Sequence, residues 1–291
     1  MHDMTRSDET QSPLVTVVVT AYNQANLVER CLDSVAAQKT TFGVRIVVAD
    51  DASADGTADV VRAWAARHPD ADIELIARDK NLGLDGNPAE ALRHVKTPFF
   101  HILESDDYWC DETKLQRQVD ALNVHPECIA CGHSTEYREM DGTLVKVKGR
   151  RLKPGAFRVD DLFTTQFVHR SAVLFRNFLD DISDDDLAWI VRDVCFFYYA
   201  LSKGKIIYFD RPMSVYSITG IGTWSGLSEE RKKERLQCLY YRLDRYFGFK
   251  YTAKFRHQYL PHEGKRLFSI ALPYLRKGRR LLVSFAKLSQ S

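Results

Sequence analysis

The chain has 291 residues, enough for one large domain or two small ones with a substantial core. A hydrophobic content of 45% with 27% charged residues is typical of a globular protein and argues against a disordered chain. The 41 basic and 39 acidic residues nearly balance, so the net charge of +2 says little about partners; we expect no nucleic-acid partner. Six cysteines without an N-terminal signal peptide predict a reducing, cytoplasmic setting rather than a disulfide framework.

Short apolar runs alternate with helical patterns through the first 125 residues. Residues 1–12 are polar, and we expect them to be disordered. Buried strands are predicted at residues 14–19, 44–49, 73–77 and 99–103. A helix follows each of the first three strands. Asn26 is the expected cap of the first, Val60, Val61 and Trp64 form the inner face of the second, and the third runs near residues 88–95.

This alternation predicts an α/β fold with a doubly wound, mostly parallel sheet. Ligands of such sheets bind at the carboxyl ends of the strands, so the loops at Tyr22, Asp51, Asn81 and Asp106 should converge on one crevice. A Gly-x-Gly-x-x-Gly segment does not follow the first strand, and the sequence contains no Walker motif. A dinucleotide-binding fold and a P-loop enzyme are therefore disfavoured.

Three carboxylates, Glu104, Asp106 and Asp107, follow the fourth strand directly. Carboxylate oxygens suit Mg²⁺ or Mn²⁺, and such ions keep open positions for substrate phosphates. Taken alone, the same cluster could also be a solvated acidic turn.

Four segments together resemble the family 2 glycosyltransferases, which have the GT-A fold. In chain order they are residues 17–23 (VVVTAYN), 50–57 (DDASADGT), 81–83 (NLG) and 104–109 (ESDDYW). The resemblance covers residues 13–125, the expected nucleotide-sugar half. It implies a nucleotide-diphospho-sugar donor, a divalent cation and inversion at the anomeric carbon.

The resemblance also implies roles for single residues. Asp51 matches the acid that recognises the base, with uracil favoured. Asp106 matches the metal-binding end of an Asp-x-Asp motif whose first position is Glu104 here, and Asp107 is expected to help organise the ribose or metal-bound waters. The residues expected around the donor are Thr20, Ala21, Tyr22, Asn23, Asp50, Asp51, Asn81, Gly83, Asn87, Ser105 and Trp224.

Residues 126–226 are expected to form the acceptor half. A strand at 128–132, a hairpin at 136–148 that turns at Asp141 and Gly142, a short helix from residue 160 and a strand at 169–176 are predicted. Cys128 and Cys131 have the spacing of a metal pair but lack a second pair, which favours strand packing. His169 fits an acceptor-site role and a structural role equally well.

Two acidic stretches follow. Residues 180–186 could suggest a metal site, but their composition favours a solvated loop and the start of a helix. Asp193 precedes an apolar helix at 194–201, Gly204 and a strand at 206–209. The resemblance makes an acid in this place the catalytic base, and the alternative is an acid that stabilises a helix N-terminus.

Residues 213–219 and 222–226 resemble a family segment that folds over the donor. Its usual pattern is Tyr-Arg-x-His, and here Ser217 and Thr219 replace Arg and His. A contact to metal or pyrophosphate expected from that His is therefore missing from this segment.

Residues 227–291 are predicted to form a helical region with a basic amphipathic tail. Ser228 should cap a helix whose buried stripe is Leu236, Leu239, Tyr240, Leu243 and Phe247. After Glu263 the chain has seven Lys and Arg and no acid, and its apolar runs are too short to span a bilayer. The tail fits the inner face of the plasma membrane, the protein's own surface or a second copy of the chain.

The sequence therefore predicts an inverting, metal-dependent glycosyltransferase. Its expected substrates are a UDP-sugar and a saccharide or lipid-linked saccharide acceptor, in surface polysaccharide or glycolipid assembly. Two alternatives are a nucleotidyltransferase on a related sheet and a catalytically silent sugar-nucleotide-binding protein.

Overall fold

The structure is a computed structural model that describes residues 12–148, 155–157, 168–219 and 228–252. The chain divides into two compact units, residues 1–219 and 220–291. The first unit thus ends shortly before the domain boundary that the sequence predicts after residue 226.

The first unit is organised around one mixed β-sheet. Among the described residues its strands are β1 Pro13–Ala21, β2 Gly43–Asp50, β3 Asp72–Ala77, β4 Phe99–Glu104, β5 Tyr108–Trp109, β6 Cys128–Glu139, β7 Leu144–Lys148, β8 Gly155–Phe157, β9 Leu174–Arg176 and β10 Lys205–Ile218. The strand order is β3-β2-β1-β4-β9-β6-β10-β5, with β7 beside β6 and β8 beside β10. β3, β2, β1 and β4 are parallel, which confirms the predicted α/β class.

Helices in the first unit are α1 Val28–Ala36, α2 Thr57–Arg67, α3 Gly83–Leu92, α4 Lys114–Val124, α5 Asp184–Ile190 and α6 Asp193–Lys203. The β-branched residues of β1 and β2 form the centre of the core with Leu32 of α1 and Trp64 of α2. Fully burying such a side chain contributes about 1.5–3 kcal/mol, so these strands are firmly fixed and their ends form a rigid edge.

Two predictions at helix starts are wrong. Asn26 does not cap α1, which begins at Val28 after a turn in which the amides of Leu27 and Val28 bond to the Gln24 carbonyl. α3 begins at Gly83 rather than near Pro88, because a carboxylate from another loop accepts hydrogen bonds from its first amides.

The acceptor half differs from the prediction in two places. Residues 169–176 do not form one strand: a 3₁₀ turn at Arg170–Ala172 precedes the short β9. β10 is much longer than the strand predicted at 206–209, because β6 pairs with it from Lys205 to Ile218. The hairpin between β6 and β7 is confirmed. The helix predicted from residue 160 and the segment 222–226 lie outside the described residues.

The second unit is described over residues 228–252. Its helix α7, Glu229–Tyr246, begins after Ser228, whose hydroxyl caps the Arg231 amide as predicted. Leu239, Tyr240 and Leu243 of the predicted stripe are buried. The tail after residue 252 lies outside the described part. Within that part, no helix combines the length and the hydropathy needed to cross a membrane.

Candidate active site

The pairing register places the predicted loops at one edge of the sheet. Ala21 at the end of β1 lies opposite Asp50 of β2, and Thr20 lies opposite Glu104 of β4. The main chain continues these links, since the Ser105 amide donates to the Thr20 carbonyl and the Asp51 amide to the Ala21 carbonyl. Three strand ends therefore present their loops side by side.

The loops after β1 and β2 are bonded to each other. Asn23 adopts a positive φ of 53°, its amide donates to the Ser53 hydroxyl (2.8 Å), and its side-chain oxygen accepts from the Ala54 amide (2.9 Å). Asp55 accepts from the Ala25 amide and from Thr57. Burial tends to raise the pKa of the Asp55 carboxyl, but these donors lower it overall. Tyr22 stands 49% exposed beside them.

Asp50 and Asp51 are both buried, and protein donors occupy their carboxylates. Asp50 accepts from the hydroxyl (2.5 Å) and the amide (3.2 Å) of Ser53. Asp51 accepts from the amides of Leu82 (2.6 Å) and Gly83 (2.9 Å), which are the start of α3. Asp51 is thus held rigidly at a helix N-terminus, a favourable place for a negative charge.

The loop after β3 is fixed by the same group of residues. The Asn81 side chain donates to the Asp51 carbonyl, and Gly83 has a φ of +75° that a side chain would strain. Asn87 is buried rather than open to a ligand: it donates to the Ala49 carbonyl and accepts from Arg78 Nε (2.7 Å). Arg78, to which no motif in the sequence points, is held beside this loop by its hydrogen bond to Asn87.

Glu104, Asp106 and Asp107 form what we call the acidic centre. Glu104 pairs with Arg170 (Oε1–Nη2, 2.5 Å). Asp107 is buried, and its Oδ1 accepts from the Ser217 amide of β10 (3.1 Å). Its Oδ2 lies 3.4 Å from His169 Nδ1, which is also 2.6 Å from the Ser171 hydroxyl.

Burial and the repulsion of neighbouring carboxylates act strongly on Asp106 and Asp107. Burial, followed by the charge of Glu104, raises the pKa of Asp106 to about 6. Burial and the charges of Asp106 and Glu104 raise the pKa of Asp107 well above its ordinary value. Carboxyl groups whose pKa values are raised in this way gain from a neutralising cation.

The acidic centre fits a divalent cation. Glu104, Asp107 and His169 each offer a donor atom, and these atoms lie within 4.8 Å of one another. Asp107 Oδ2 is buried and accepts no hydrogen bond from the described residues, although His169 Nδ1 lies 3.4 Å away, and a cation would satisfy such an atom. Carboxylate oxygens suit hard divalent cations such as Mg²⁺ and Mn²⁺, and imidazole is a donor for several other divalent metals. Asp106, the predicted principal ligand, is adjacent in the chain but is not one of these three residues.

Asp193 is the first residue of α6, and its side chain lies outside the described atoms. The turn before it is linked to the acidic centre by Arg170, which donates to the Val191 carbonyl (3.3 Å) and pairs with Glu104. Arg192 forms a two-pronged ion pair with Asp85 of α3. Trp224, predicted to contact the donor, lies outside the described residues.

Three site residues found here carried no usable signal in the sequence. Arg78, Arg170 and Arg192 are lone arginines, and only the fold brings them to the acids or amides that they contact. His169 is a candidate in the sequence, and only the fold places it beside Asp107.

Known proteins resemble this chain in sequence and in fold. The family described as Glycosyl transferase family 2 matches residues 16–209. The uncharacterized protein Rv1520 of Mycobacterium tuberculosis is 31% identical over 225 residues, covering 75% of this chain and 63% of that protein. A glucosyltransferase of Escherichia coli, WfaP, named for transfer from UDP-Glc to α-D-GlcNAc-diphosphoundecaprenol, is 28% identical over 46% of this chain and 50% of its own.

A solved structure shares the fold. The mannosyltransferase PcManGT of Pyrobaculum calidifontis, solved with GDP-Man and Mn²⁺, aligns with a TM-score of 0.61 and 20% identity, covering 97% of this chain and 82% of that one. The family match over residues 16–209 covers the sheet strands β2 to β4 and the loops that follow them at the edge of the sheet. The chain belongs to glycosyl transferase family 2 and has the GT-A fold.

Proposed function

We propose that the protein is an inverting, metal-dependent glycosyltransferase that moves a sugar from a nucleoside-diphosphate sugar to a hydroxyl acceptor. The observation that carries the proposal is the acidic centre at the edge of the sheet, beside loops already bonded into one rigid surface. Preorganised groups stabilise charge that develops in a transition state, because they need no rearrangement when it forms.

The donor base is proposed to bind at Asp51, with uracil favoured. A carboxylate has room for about four hydrogen bonds, and the Leu82 and Gly83 amides use two of them. The N3–H of uracil can donate to the remaining positions. Because both amides fix the carboxylate, little conformational freedom is lost when the base binds.

The metal is proposed to be Mn²⁺ or Mg²⁺, held by Glu104, Asp106 and Asp107. His169 extends this donor set on the side of Asp107. When bound, the ion neutralises charge on the donor diphosphate. Arg170 keeps Glu104 in place and partly balances the charge of the site when the ion is absent.

Asp193 is proposed as the general base. The acceptor oxygen bonds to the anomeric carbon while the bond from that carbon to the diphosphate oxygen breaks, and the electron pair leaves on the nucleoside diphosphate. Asp193 takes the acceptor proton. Arg170 supports this assignment, because one side chain links Glu104 to the carbonyl two residues before Asp193.

The acceptor is proposed to be a saccharide or lipid-linked saccharide, in polysaccharide or glycolipid assembly at the inner face of the plasma membrane. The seven cationic residues after Glu263 would favour an anionic bilayer by about 1 kcal/mol each near the surface. Removing residues 265–291 should then lower co-sedimentation with anionic vesicles, and high salt should have the same effect.

The test is product analysis with UDP- and GDP-sugars and candidate acceptors, with Mn²⁺ or with EDTA. A glycosyltransferase releases the nucleoside diphosphate and forms a product with inverted anomeric configuration, which NMR reads directly. Pyrophosphate release would instead indicate a nucleotidyltransferase. Donor binding by calorimetry without any release would indicate the silent binding protein.

A further inference from the structure

Arg30 of α1 extends to the rim of the acidic centre. Its guanidinium carbon lies 4.2 Å from the centre of the Tyr108 ring, and its Nη2 donates to the Ser217 hydroxyl at 3.0 Å. A weaker contact of 3.5 Å joins Nη2 to the main-chain carbonyl of Asp106. The stacking on Tyr108 and the hydrogen bond fix a side chain that would otherwise rotate freely.

Ser217 connects Arg30 to the buried acid. The amide of Ser217 donates to Asp107 Oδ1, while its hydroxyl accepts from Arg30. One residue of β10 therefore contacts both a member of the acidic centre and the guanidinium. Since Ser217 is buried and Arg30 is exposed, the guanidinium stands on the open side of this contact.

The charge of Arg30 is not used by an ion pair among the described residues. Its hydrogen bonds go to a hydroxyl and to a carbonyl, both of which are neutral. Arg170, in contrast, pairs directly with Glu104. A guanidinium has five N–H donors in a planar fork that matches phosphate oxygens, and most of those of Arg30 remain available.

We propose that Arg30 binds the diphosphate of the donor and balances the charge that the leaving nucleoside diphosphate gains. The inference rests on the proposed function, because a diphosphate-linked donor is its ligand. As the bond to the anomeric carbon breaks, its electron pair stays on the diphosphate, and a fixed guanidinium at that place lowers the free energy of the charged product. In the family segment that residues 213–219 resemble, position 217 is usually Arg, and here it is Ser. Arg30 of α1 supplies a guanidinium beside that position.

The test is calorimetry with UDP, GDP and the corresponding nucleosides, in the presence of Mn²⁺. Arg30→Gln should weaken binding of the nucleotide that the wild type prefers by roughly 10- to 100-fold, the effect of a lost charge-assisted hydrogen bond. Affinity for the matching nucleoside should stay close to that of the wild type, because the nucleoside lacks the phosphates that Arg30 would contact. Arg30→Lys keeps the charge but loses the planar fork of N–H donors. Its nucleotide affinity should therefore lie between that of the wild type and that of Arg30→Gln.

Arg62→Gln is the matched control, because Arg62 is an exposed helical arginine paired with Asp59 on α2. It should leave both affinities unchanged. Equal loss of nucleotide and nucleoside binding in Arg30→Gln would show that Arg30 only supports the local structure, and would overturn the inference. An unchanged nucleotide affinity in that variant would overturn it as well. A wild-type protein that binds neither UDP nor GDP would overturn the proposed function, and this inference with it.

Discussion

The loops around Asp51 and the acidic centre lie at the same edge of the sheet, yet the carboxylates of the two regions have opposite environments. Around Asp51, backbone amides and hydroxyls satisfy each acid, and such donors lower the pKa of Asp55. In the acidic centre burial, followed by the mutual repulsion of the carboxyl groups, raises the pKa values of Asp106 and Asp107. The first region has its carboxylates satisfied without a ligand, whereas the second keeps an excess of negative charge that Arg170 balances only in part.

Under the proposed function, this difference separates the region that binds the base of the donor from the region where the sugar is transferred. A satisfied, rigid loop can recognise a base with little reorganisation. A site with excess negative charge carries unfavourable free energy, which the proposed metal cation would relieve on binding. Four variants test this division, from the largest expected effect to the smallest.

Asp193→Asn should lower turnover by about 10²–10⁴-fold, since the amide cannot take the acceptor proton. Donor affinity should stay close to that of the wild type, because neither region at the sheet edge is altered. Initial rates and calorimetry measure the two quantities. Wild-type turnover would place the base elsewhere and make Asp184, Asp185 and Asp186 the next residues to examine.

Asp51→Ala should weaken UDP binding by about 1.5–3 kcal/mol, the free energy of a charge-assisted hydrogen bond. It should also loosen the start of α3, because the Leu82 and Gly83 amides lose their acceptor. Calorimetry measures the affinity, and hydrogen exchange at those two amides measures the local effect. Asp51→Asn is the comparison, since it keeps one acceptor oxygen. If UDP affinity is unchanged, the base binds elsewhere.

Asp106→Asn should stabilise the metal-free protein at pH 7.5. The pKa of Asp106 rises from 3.8 to about 6 on folding, so its favourable contribution is complete below pH 3.8 and is lost as pH increases through about 6. The uncharged amide of Asn avoids this loss of stability. The expected gain in the free energy of unfolding is about 1–2 kcal/mol, because solvent screening weakens the effect of the charge. Thermal unfolding in EDTA checks this.

The Asp106→Asn gain should vanish below about pH 4, and added Mn²⁺ should raise the melting temperature of the wild type much more than that of the variant. A variant that melts below the wild type at pH 7.5 would show that Asp106 is a stabilising charge, and the contrast between the two regions would fail.

Asp185→Asn should change the least. Asp185 is exposed in the first turn of α5, where a negative charge contributes about 0.3–1 kcal/mol. Turnover and metal affinity should match the wild type, and the free energy of unfolding should fall by no more than that range. A large loss of turnover would mean that this run of acids takes part in the reaction.

Much of the sheet edge was predictable because the relevant patterns are local. Apolar runs of strand length, each followed by polar residues, placed β1, β2, β3 and β4 and the acids at their ends. The turn residues Asp141 and Gly142 between two strand-like runs likewise predicted the hairpin of β6 and β7. Gly142 has a φ of 89° in that turn. In each case neighbouring residues in the chain settle the conformation.

The sequence by itself determined the parallel sheet and the acids and polar residues that end its strands, because hydrophobic period and turn chemistry act within a few residues. Only the tertiary structure decided which groups meet those acids. Arg30 and Ser217 are 187 positions apart, and Arg170 and Glu104 are 66 apart. Lys114 of α4 is fully buried, because β6, β9 and β10 pack on that helix, and it lies over Trp109 and is bonded to Gln118. Such contacts depend on how distant segments pack, and packing overrides local preference wherever a buried charge must find a partner.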